Sequence, residues 1–162
     1  MRHIISALVQ NEPGVLAHVA GMFAARGFNI DSLVVGETEN PDLSRMTIVV
    51  RGDDRVLEQV RKQLDKLVAV IKVRDFSGVA HVERDLMLIT VAVTPERRGQ
   101  LIDLVNIFRG WVVDVSPKSV MVQLTGPEDK IEAFIECCRP YGIKELARTG
   151  VIAMARGSSE KS

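Results

Sequence analysis

The sequence predicts an α+β fold made of two βαββαβ units in tandem. Apolar runs of strand length alternate with amphipathic helical patterns in this order, and the order recurs in the second half of the chain. Two short landmarks also recur: Arg26-Gly27-Phe28 corresponds to Arg109-Gly110-Trp111, and Arg51-Gly52-Asp53 corresponds to Thr125-Gly126-Pro127. This order of elements is that of the ferredoxin-like split βαβ arrangement.

The first unit begins with an apolar strand that enters the turn Asn11-Glu12-Pro13-Gly14. A helix follows and ends before Gly27, which supplies a left-handed cap. Gly21 within this helix costs roughly 1 kcal/mol against alanine, so we expect it to lie close to a strand. Gly52-Asp53-Asp54 is interpreted as the cap of the second helix. The predicted elements are a strand over 3–9, a helix over 15–26, strands over 28–37 and 44–51, a helix with Leu57, Val60, Leu64 and Leu67 on one face, and a strand over 68–74.

The second unit repeats this order after a more polar connection. Its predicted elements are a strand over 85–94, a helix opened by Pro95, strands over 111–115 and 119–125, a helix opened by Pro127, and a strand over 143–155. We therefore expect a first domain over 1–77, a linker over 78–84 and a second domain over 85–156. The polar residues 157–162 are expected to be disordered.

The composition excludes several classes of function. The 162 residues are 46% apolar and carry 21 basic and 21 acidic side chains, so no broad positive surface is expected for nucleic acid or an anionic membrane. No apolar run approaches the roughly 20 residues of a membrane helix, and the N-terminus lacks the pattern of a secretory signal. The only cysteines, Cys137 and Cys138, are adjacent and fit a reducing, cytoplasmic location.

The turn at Asn11 to Gly14 is the candidate binding element. Backbone N–H groups at a helix start point back at such a turn and favour an anion. A free amino acid offers a carboxylate for these groups and an ammonium for side-chain oxygens. The second unit has Thr94-Pro95-Glu96-Arg97-Arg98 in the same place, where charged side chains replace the bare turn. We interpret the first turn as an amino-acid sensor, although such turns often only reverse the chain.

At this point the sequence resembles a known family, the regulatory (small) subunit of acetolactate synthase, and the likeness spans nearly all of the chain. The segments that carry the resemblance are Arg2 to Ser6, Asn11 to Leu16, Gly27 to Leu33, Leu43 to Ile48, Leu57 to Gln59, Gln63 to Leu67, and His81 to Leu88.

The resemblance implies an N-terminal ACT domain that binds a branched-chain amino acid, usually valine, at a homodimer interface, followed by a ferredoxin-like regulatory domain. It implies that a separate catalytic large subunit performs the chemistry with thiamine diphosphate, magnesium and FAD, that valine inhibits this enzyme by feedback, and that this chain holds no cofactor, catalytic residue or metal. The effector-binding positions implied by the resemblance are Asn11, Gly14, Val15, Leu16, Asn29 and Ile30.

Other interpretations have less support. The three histidines, His3, His18 and His81, lack metal-ligand spacing, and we expect structural or surface roles for them. The predicted third strand has no aromatic residue for stacking RNA bases, and the first turn lacks the arginine of an acylphosphatase-type phosphate site. The alternative that remains is an amino-acid-responsive ACT regulator of another enzyme or of transcription.

Overall fold

The computed structural model describes residues 1–159. It contains two four-stranded sheets that carry helices, in agreement with the predicted α+β fold of two ferredoxin-like units. Contacts divide the described chain into two units: residues 1–82 together with the segment from Val151, and residues 83–150. No helix within residues 1–159 has the length and apolar character needed to span a membrane.

The elements of the first unit are β1 Arg2–Gln10, α1 Val15–Ala25, β2 Asn29–Glu37, β3 Leu43–Arg51, α2 Asp54–Asp65 and β4 Val70–Asp75. Its strand order is β2-β3-β1-β4. Helices α1 and α2 pack on one face of this sheet, because each presents apolar residues at spacings of three or four: α1 buries Val15, Val19 and Phe23, and α2 buries Leu57, Val60 and Leu64.

The elements that follow are β5 His81–Ala92, α3 Arg98–Ile107, β6 Trp111–Ser116, β7 Ser119–Gly126, α4 Glu128–Cys138 and β8 Ile143–Ala155. The second unit repeats the strand order of the first as β6-β7-β5-β8. Its core is formed by the sheet and by Leu101, Val105, Ile131, Phe134 and Cys138 from its two helices, all of which are buried.

The outer face of the first sheet, opposite its helices, is partly covered by the end of β8. Val151 and Ala153 form a small buried cluster with Ile4, Val49 and Phe76. This packing assigns the end of β8 to the first unit, whereas the predicted second domain extends to residue 156. Strand β5 also begins inside the predicted linker over 78–84. The predicted domain limits stay a prediction.

Three local expectations are corrected by the structure. Helix α3 begins at Arg98, not at Pro95, because Thr94 to Arg97 form a turn closed by a hydrogen bond of 3.1 Å from the N–H of Arg97 to Thr94 O. Gly21 is exposed, and a Cβ there would meet no atom within 4 Å, so it does not approach a strand. Gly157–Ser159 form a short 3₁₀ helix, and the rest of the predicted disordered tail lies outside the described residues.

An ion-pair network lies in the second unit. Asp85 on β5 is 1% exposed, and Arg148 on β8 donates to its Oδ2 from Nε at 3.0 Å and from Nη2 at 2.7 Å. Arg148 Nη1 also donates to Glu132 on α4 at 2.7 Å, so the arginine joins a strand to a helix. Burial lowers the pKa of Arg148, but its hydrogen bonds to Glu132 and Asp85 more than offset this and raise the pKa overall.

Candidate amino-acid binding site

The start of helix α1 is open. Gly14 is its N-cap residue and has a left-handed φ of 85°. The helix has no side-chain cap, and its first turn contains no acidic residue. The N–H of Val15 donates to Glu12 O at 3.4 Å, and it lies with the N–H of Leu16 at the positive end of a helix dipole that no acidic residue within the first helical turn compensates. A Cβ on Gly14 would meet no atom within 4 Å, which leaves room for a ligand to approach.

The turn that precedes this helix is fastened on both sides. The N–H of Gln10 donates to Ala69 O at 2.8 Å, which ties the turn to the start of β4. The N–H of Asn11 donates to Asp42 O at 2.8 Å, and its Nδ2 donates to Pro41 O at 3.0 Å. With Nδ2 held in this way, the Oδ1 atom of Asn11 is the oxygen able to accept from a ligand ammonium.

A cleft of about 430 Å³ opens next to the helix start. It contains Gly14 and Val15 of the predicted site, and its opposite wall is the connection between α2 and β4. Its lining residues are Gln10, Glu12, Pro13, Gly14, Val15, His18, Val19, Lys66, Leu67, Val68, Ala69 and Val70. This size suits a small ligand with an apolar side chain.

Asn29 and Ile30 lie at the opposite end of the same sheet. Asn29 is paired with Arg51, the last residue of β3, whereas Asn11 follows the strand end that is paired with Leu43, the first residue of β3. The nine-residue strand β3 separates these ends by roughly 26 Å at about 3.3 Å per residue. One chain therefore places Asn11, Gly14, Val15 and Leu16 on one turn and helix start, with Gly14 and Val15 lining the cleft and Asn11 and Leu16 outside its lining, whereas Asn29 and Ile30 lie at the far end of the sheet.

Sequence reasoning did not identify the opposite wall of the cleft. Lys66 and Val68 line it, and the Val68 side chain is 95% exposed. The sequence contains little sign of this wall, because Val68 was predicted to be the first residue of β4 and was therefore not considered as part of a site. In the structure β4 starts at Val70, and the connection before it faces the helix start.

The corresponding turn of the second unit has different chemistry. A cleft of about 420 Å³ there is lined by three cationic side chains, those of Arg97, Lys118 and Lys144, and by Tyr141. The guanidinium of Arg97 lies 4.2 Å from the centroid of the Tyr141 ring. The difference between the two turns that the sequence indicated is therefore present in the structure.

The remaining candidate residues have structural or surface positions. His3 is buried, and its Nε2 lies 3.1 Å from Gly52 O, while the His81 ring packs against Phe76 at 5.2 Å between centroids. Asp53 is the N-cap of α2 and accepts from the N–H of Val56 at 3.1 Å, which confirms the predicted cap. Within residues 1–159, no group of His, Cys, Asp and Glu side chains could hold a metal ion.

The two adjacent cysteines have different environments. Cys137 is exposed, whereas Cys138 is buried in the core of the second unit. Burial, followed by the neighbouring Cys137, raises the pKa of Cys138 from 9.0 to about 12. Because the thiolate is the reactive form, Cys138 is poorly suited to be a nucleophile.

We expect iodoacetamide at pH 8 to label one thiol in the folded protein and two after unfolding in guanidinium, as counted by mass spectrometry. The Cys137→Ala variant should show no rapid labelling while folded. The folded pKa of Cys138 lies above the unfolded value, so its contribution to stability is present below about pH 9 and is lost towards pH 12. Rapid labelling of both thiols in the folded wild-type chain would contradict this assignment.

Comparisons with known proteins agree over almost the whole chain. Residues 84–157 match the family model described as the small subunit of acetolactate synthase, and residues 5–72 match the AHAS small subunit-like ACT domain. A probable acetolactate synthase small subunit from Archaeoglobus fulgidus is 59% identical over 99% of this chain and 100% of that protein. The isozyme 3 small subunit from Salmonella typhimurium is 46% identical over 97% of both chains. The crystal structure of the small subunit from Thermotoga maritima has a TM-score of 0.87 and 45% identity, covering 96% of this chain and 98% of that one.

Proposed function

The chain belongs to the acetolactate synthase small-subunit family, and on that basis we propose that it regulates the catalytic subunit by binding a branched-chain amino acid between two copies of its first unit. Its role is regulatory and belongs to branched-chain amino-acid biosynthesis. The observation that carries the proposed binding mode is the start of α1, which has no side-chain cap and no acidic residue in its first turn, and where Gly14 and Val15 line a cleft. The ligand carboxylate is assigned to this helix start, and the ammonium to Asn11 Oδ1, which lies in the preceding turn but outside the cleft lining.

A second copy of the chain would supply the missing part of the site. Strand β2 is an edge strand of the first sheet, so its outer N–H and C=O groups can pair with another strand. Antiparallel pairing of two β2 strands about a two-fold axis places the Asn29 end of one copy at the Glu37 end of the other. Glu37 is paired with Ser44, at the sheet end that carries Asn11. Asn29 and Ile30 of the second copy would thus lie near the open helix start.

The exposed face of α1 also supports a dimer. Apart from His18, every residue of helix α1 is apolar, which is unusual for a helix that faces water. Its exposed residues are Leu16, Ala17, His18, Ala20, Gly21, Ala24 and Ala25, and Leu16 is 47% exposed. Small residues let a second helix approach closely, so the same contact would cover this face and extend the sheet. The exposed Gly21 fits that contact.

We predict that Ala20→Glu weakens the homodimer roughly 10- to 100-fold. A carboxylate placed in a desolvated helix contact without a partner costs at least the roughly 1–3 kcal/mol that an unpaired neutral polar group costs, and each factor of ten in affinity corresponds to about 1.4 kcal/mol. Sedimentation velocity over a series of concentrations would measure the shift. Gln59→Glu on the exposed face of α2 adds the same charge elsewhere and should leave the dimer unchanged. A wild-type chain that stays monomeric at micromolar concentration, with and without valine, would contradict the homodimer.

The proposed function is tested with the full chain and its catalytic subunit. Calorimetric titration with valine, leucine and isoleucine should show binding of at least one of them. The chain should raise the rate of acetolactate formation by the catalytic subunit, and the bound amino acid should reduce that rate. If none of the three amino acids binds, or if the chain has no effect on the catalytic subunit, the proposal fails.

The chemistry of the assembly is assigned to the catalytic subunit. We infer that thiamine diphosphate, magnesium and FAD are bound there, and that this chain only regulates the activity of the catalytic subunit. Relatives that match over their full length and carry the small-subunit name give no support to the alternative of a transcriptional regulator or a regulator of another enzyme.

A further inference from the structure

The outer face of the first sheet carries a cluster of positive side chains beside the end of β8. Arg45 on β3 and Lys72 on β4 are both paired with Leu8 on β1, and Arg74 on β4 is paired with Ser6. Register neighbours in an antiparallel sheet share a face, so the three cations stand together on it. Two strand spacings place Arg45 and Lys72 roughly 10 Å apart, with Leu8 between them.

These cations surround a depression of about 210 Å³. Its floor is partly polar, because Ser6 is 1% exposed and its hydroxyl oxygen accepts from Arg45 Nη1 at 2.9 Å. The rim is apolar and includes Met154, which is 69% exposed. The lining residues are Ser6, Leu8, Arg45, Lys72, Arg74, Phe76, Ala153, Met154 and Ala155.

No negative charge of the described chain balances this cluster. Within residues 1–159, none of the three cations takes part in an ion pair, and no acidic residue lines the depression. The chain as a whole has equal numbers of basic and acidic residues, so the excess of positive charge on this face is local. Three like charges within about a Debye length repel one another unless an anion lies among them.

We propose that this basic face of the first sheet is a docking surface for an acidic segment of the catalytic subunit. The proposal rests on the proposed function and adds the surface through which the partner is held. A second copy of the chain is a poor occupant, because a two-fold contact would place this positive patch against itself. A free small anion is disfavoured because the depression is smaller than most ligand cavities and has an apolar rim. Arginine and methionine, which both line the depression, are each enriched in protein interfaces relative to the rest of the surface.

The test is charge reversal in the full chain, measured by surface plasmon resonance or calorimetry against the purified catalytic subunit. Arg45→Glu and Lys72→Glu should each weaken binding roughly tenfold at low salt, and the double variant more. The difference from wild type should shrink as salt is raised, because screening weakens exposed charge pairs. Arg61→Glu on the exposed face of α2 makes the same change of charge away from the patch and should stay within about twofold of wild type.

Arg45→Gln keeps a donor for Ser6 and removes only the charge, so it should fall between wild type and Arg45→Glu. Valine binding and dimerisation of all variants should match those of the wild-type chain. Charge-reversed variants that bind the catalytic subunit as tightly as wild type would overturn the proposal, and so would a change in their oligomeric state. Binding of inorganic phosphate that the variants lose, without a change in subunit affinity, would assign the patch to a small anion instead. A wild-type chain that does not bind the catalytic subunit at all would refute the proposed function before any variant is compared.

Discussion

Replacing Gly14 by aspartate should weaken valine binding roughly a thousandfold while the fold is kept. The new carboxylate would stand at the start of α1, where the ligand carboxylate is proposed to bind, and would satisfy the same N–H groups. Two like charges 4 Å apart repel by about 4 kcal/mol at an effective dielectric of 20, which corresponds to about a thousandfold in affinity. Calorimetric titration of valine into the variant measures the loss, and circular dichroism reports the fold.

The left-handed φ of 85° at Gly14 calls for a matched control. Any side chain there adds strain of about 1 kcal/mol, although asparagine and aspartate tolerate this region better than other residues. Gly14→Asn has the shape of Gly14→Asp without the charge, and its affinity should stay within about fivefold of wild type. If the asparagine variant loses as much affinity as the aspartate variant, the effect is conformational. If Gly14→Asp folds and binds valine as well as wild type, the effector does not bind at this helix start.

The sequence was sufficient to predict the architecture because the local patterns agree with one another. Apolar positions at helical spacing predicted the buried faces of α1 and α2, and the capping residue Asp53 predicted where α2 begins. The two short segments that recur in the second half of the chain predicted a second unit, and its strand order matches that of the first. These features depend on neighbours close in the chain, which a sequence displays directly.

The packing of Val151 and Ala153 on the first sheet could not be predicted in this way. Both residues belong to a strand pattern that fits the second unit equally well. Neighbouring residues do not indicate where a long strand stops pairing within its sheet. The contact partners, Ile4 and Val49, lie a hundred or more residues earlier. The sequence shows that Ile4 and Val49 are apolar, but it does not show that a distant segment covers them.

In the candidate site, too, residues close together in the sequence could be assigned, whereas residues contributed by a distant segment could not. Asn11 and Gly14 could be assigned from the turn alone, since a bare turn before a helix has a clear chemical consequence. The position of Asn29 follows from the antiparallel register of β2 and β3, which places it at the far end of the sheet. The α2–β4 connection that walls the cleft was missed because the start of β4 was predicted two residues early.

Removing the buried carboxylate of the second unit should cost about 3 kcal/mol of stability, the lower end of the penalty for breaking a buried ion pair. Asp85 is 1% exposed, and Arg148, at 28% exposure, donates two hydrogen bonds to it. Asp85→Ala leaves a partly exposed guanidinium that keeps Glu132 as its partner, so the loss lies at the lower end of the roughly 3–5 kcal/mol for breaking one side of a buried pair. Thr149 also loses a contact, since its Oγ1 lies 3.4 Å from Asp85 Oδ1. Chemical denaturation of the wild type and the variant measures the difference.

The exposed pair of Lys62 and Glu58 on α2 provides the matched control, because both side chains are about two-thirds exposed and 3.3 Å apart. Lys62→Ala should cost no more than about 0.5 kcal/mol, as is usual for such helix pairs. The double variant Asp85→Ala with Arg148→Ala should be less destabilised than the sum of the two single variants, because the second change removes the charge that the first leaves unpaired. An Asp85→Ala variant that unfolds at the same denaturant concentration as the Lys62→Ala variant would show that the network does not hold β5, β8 and α4 together.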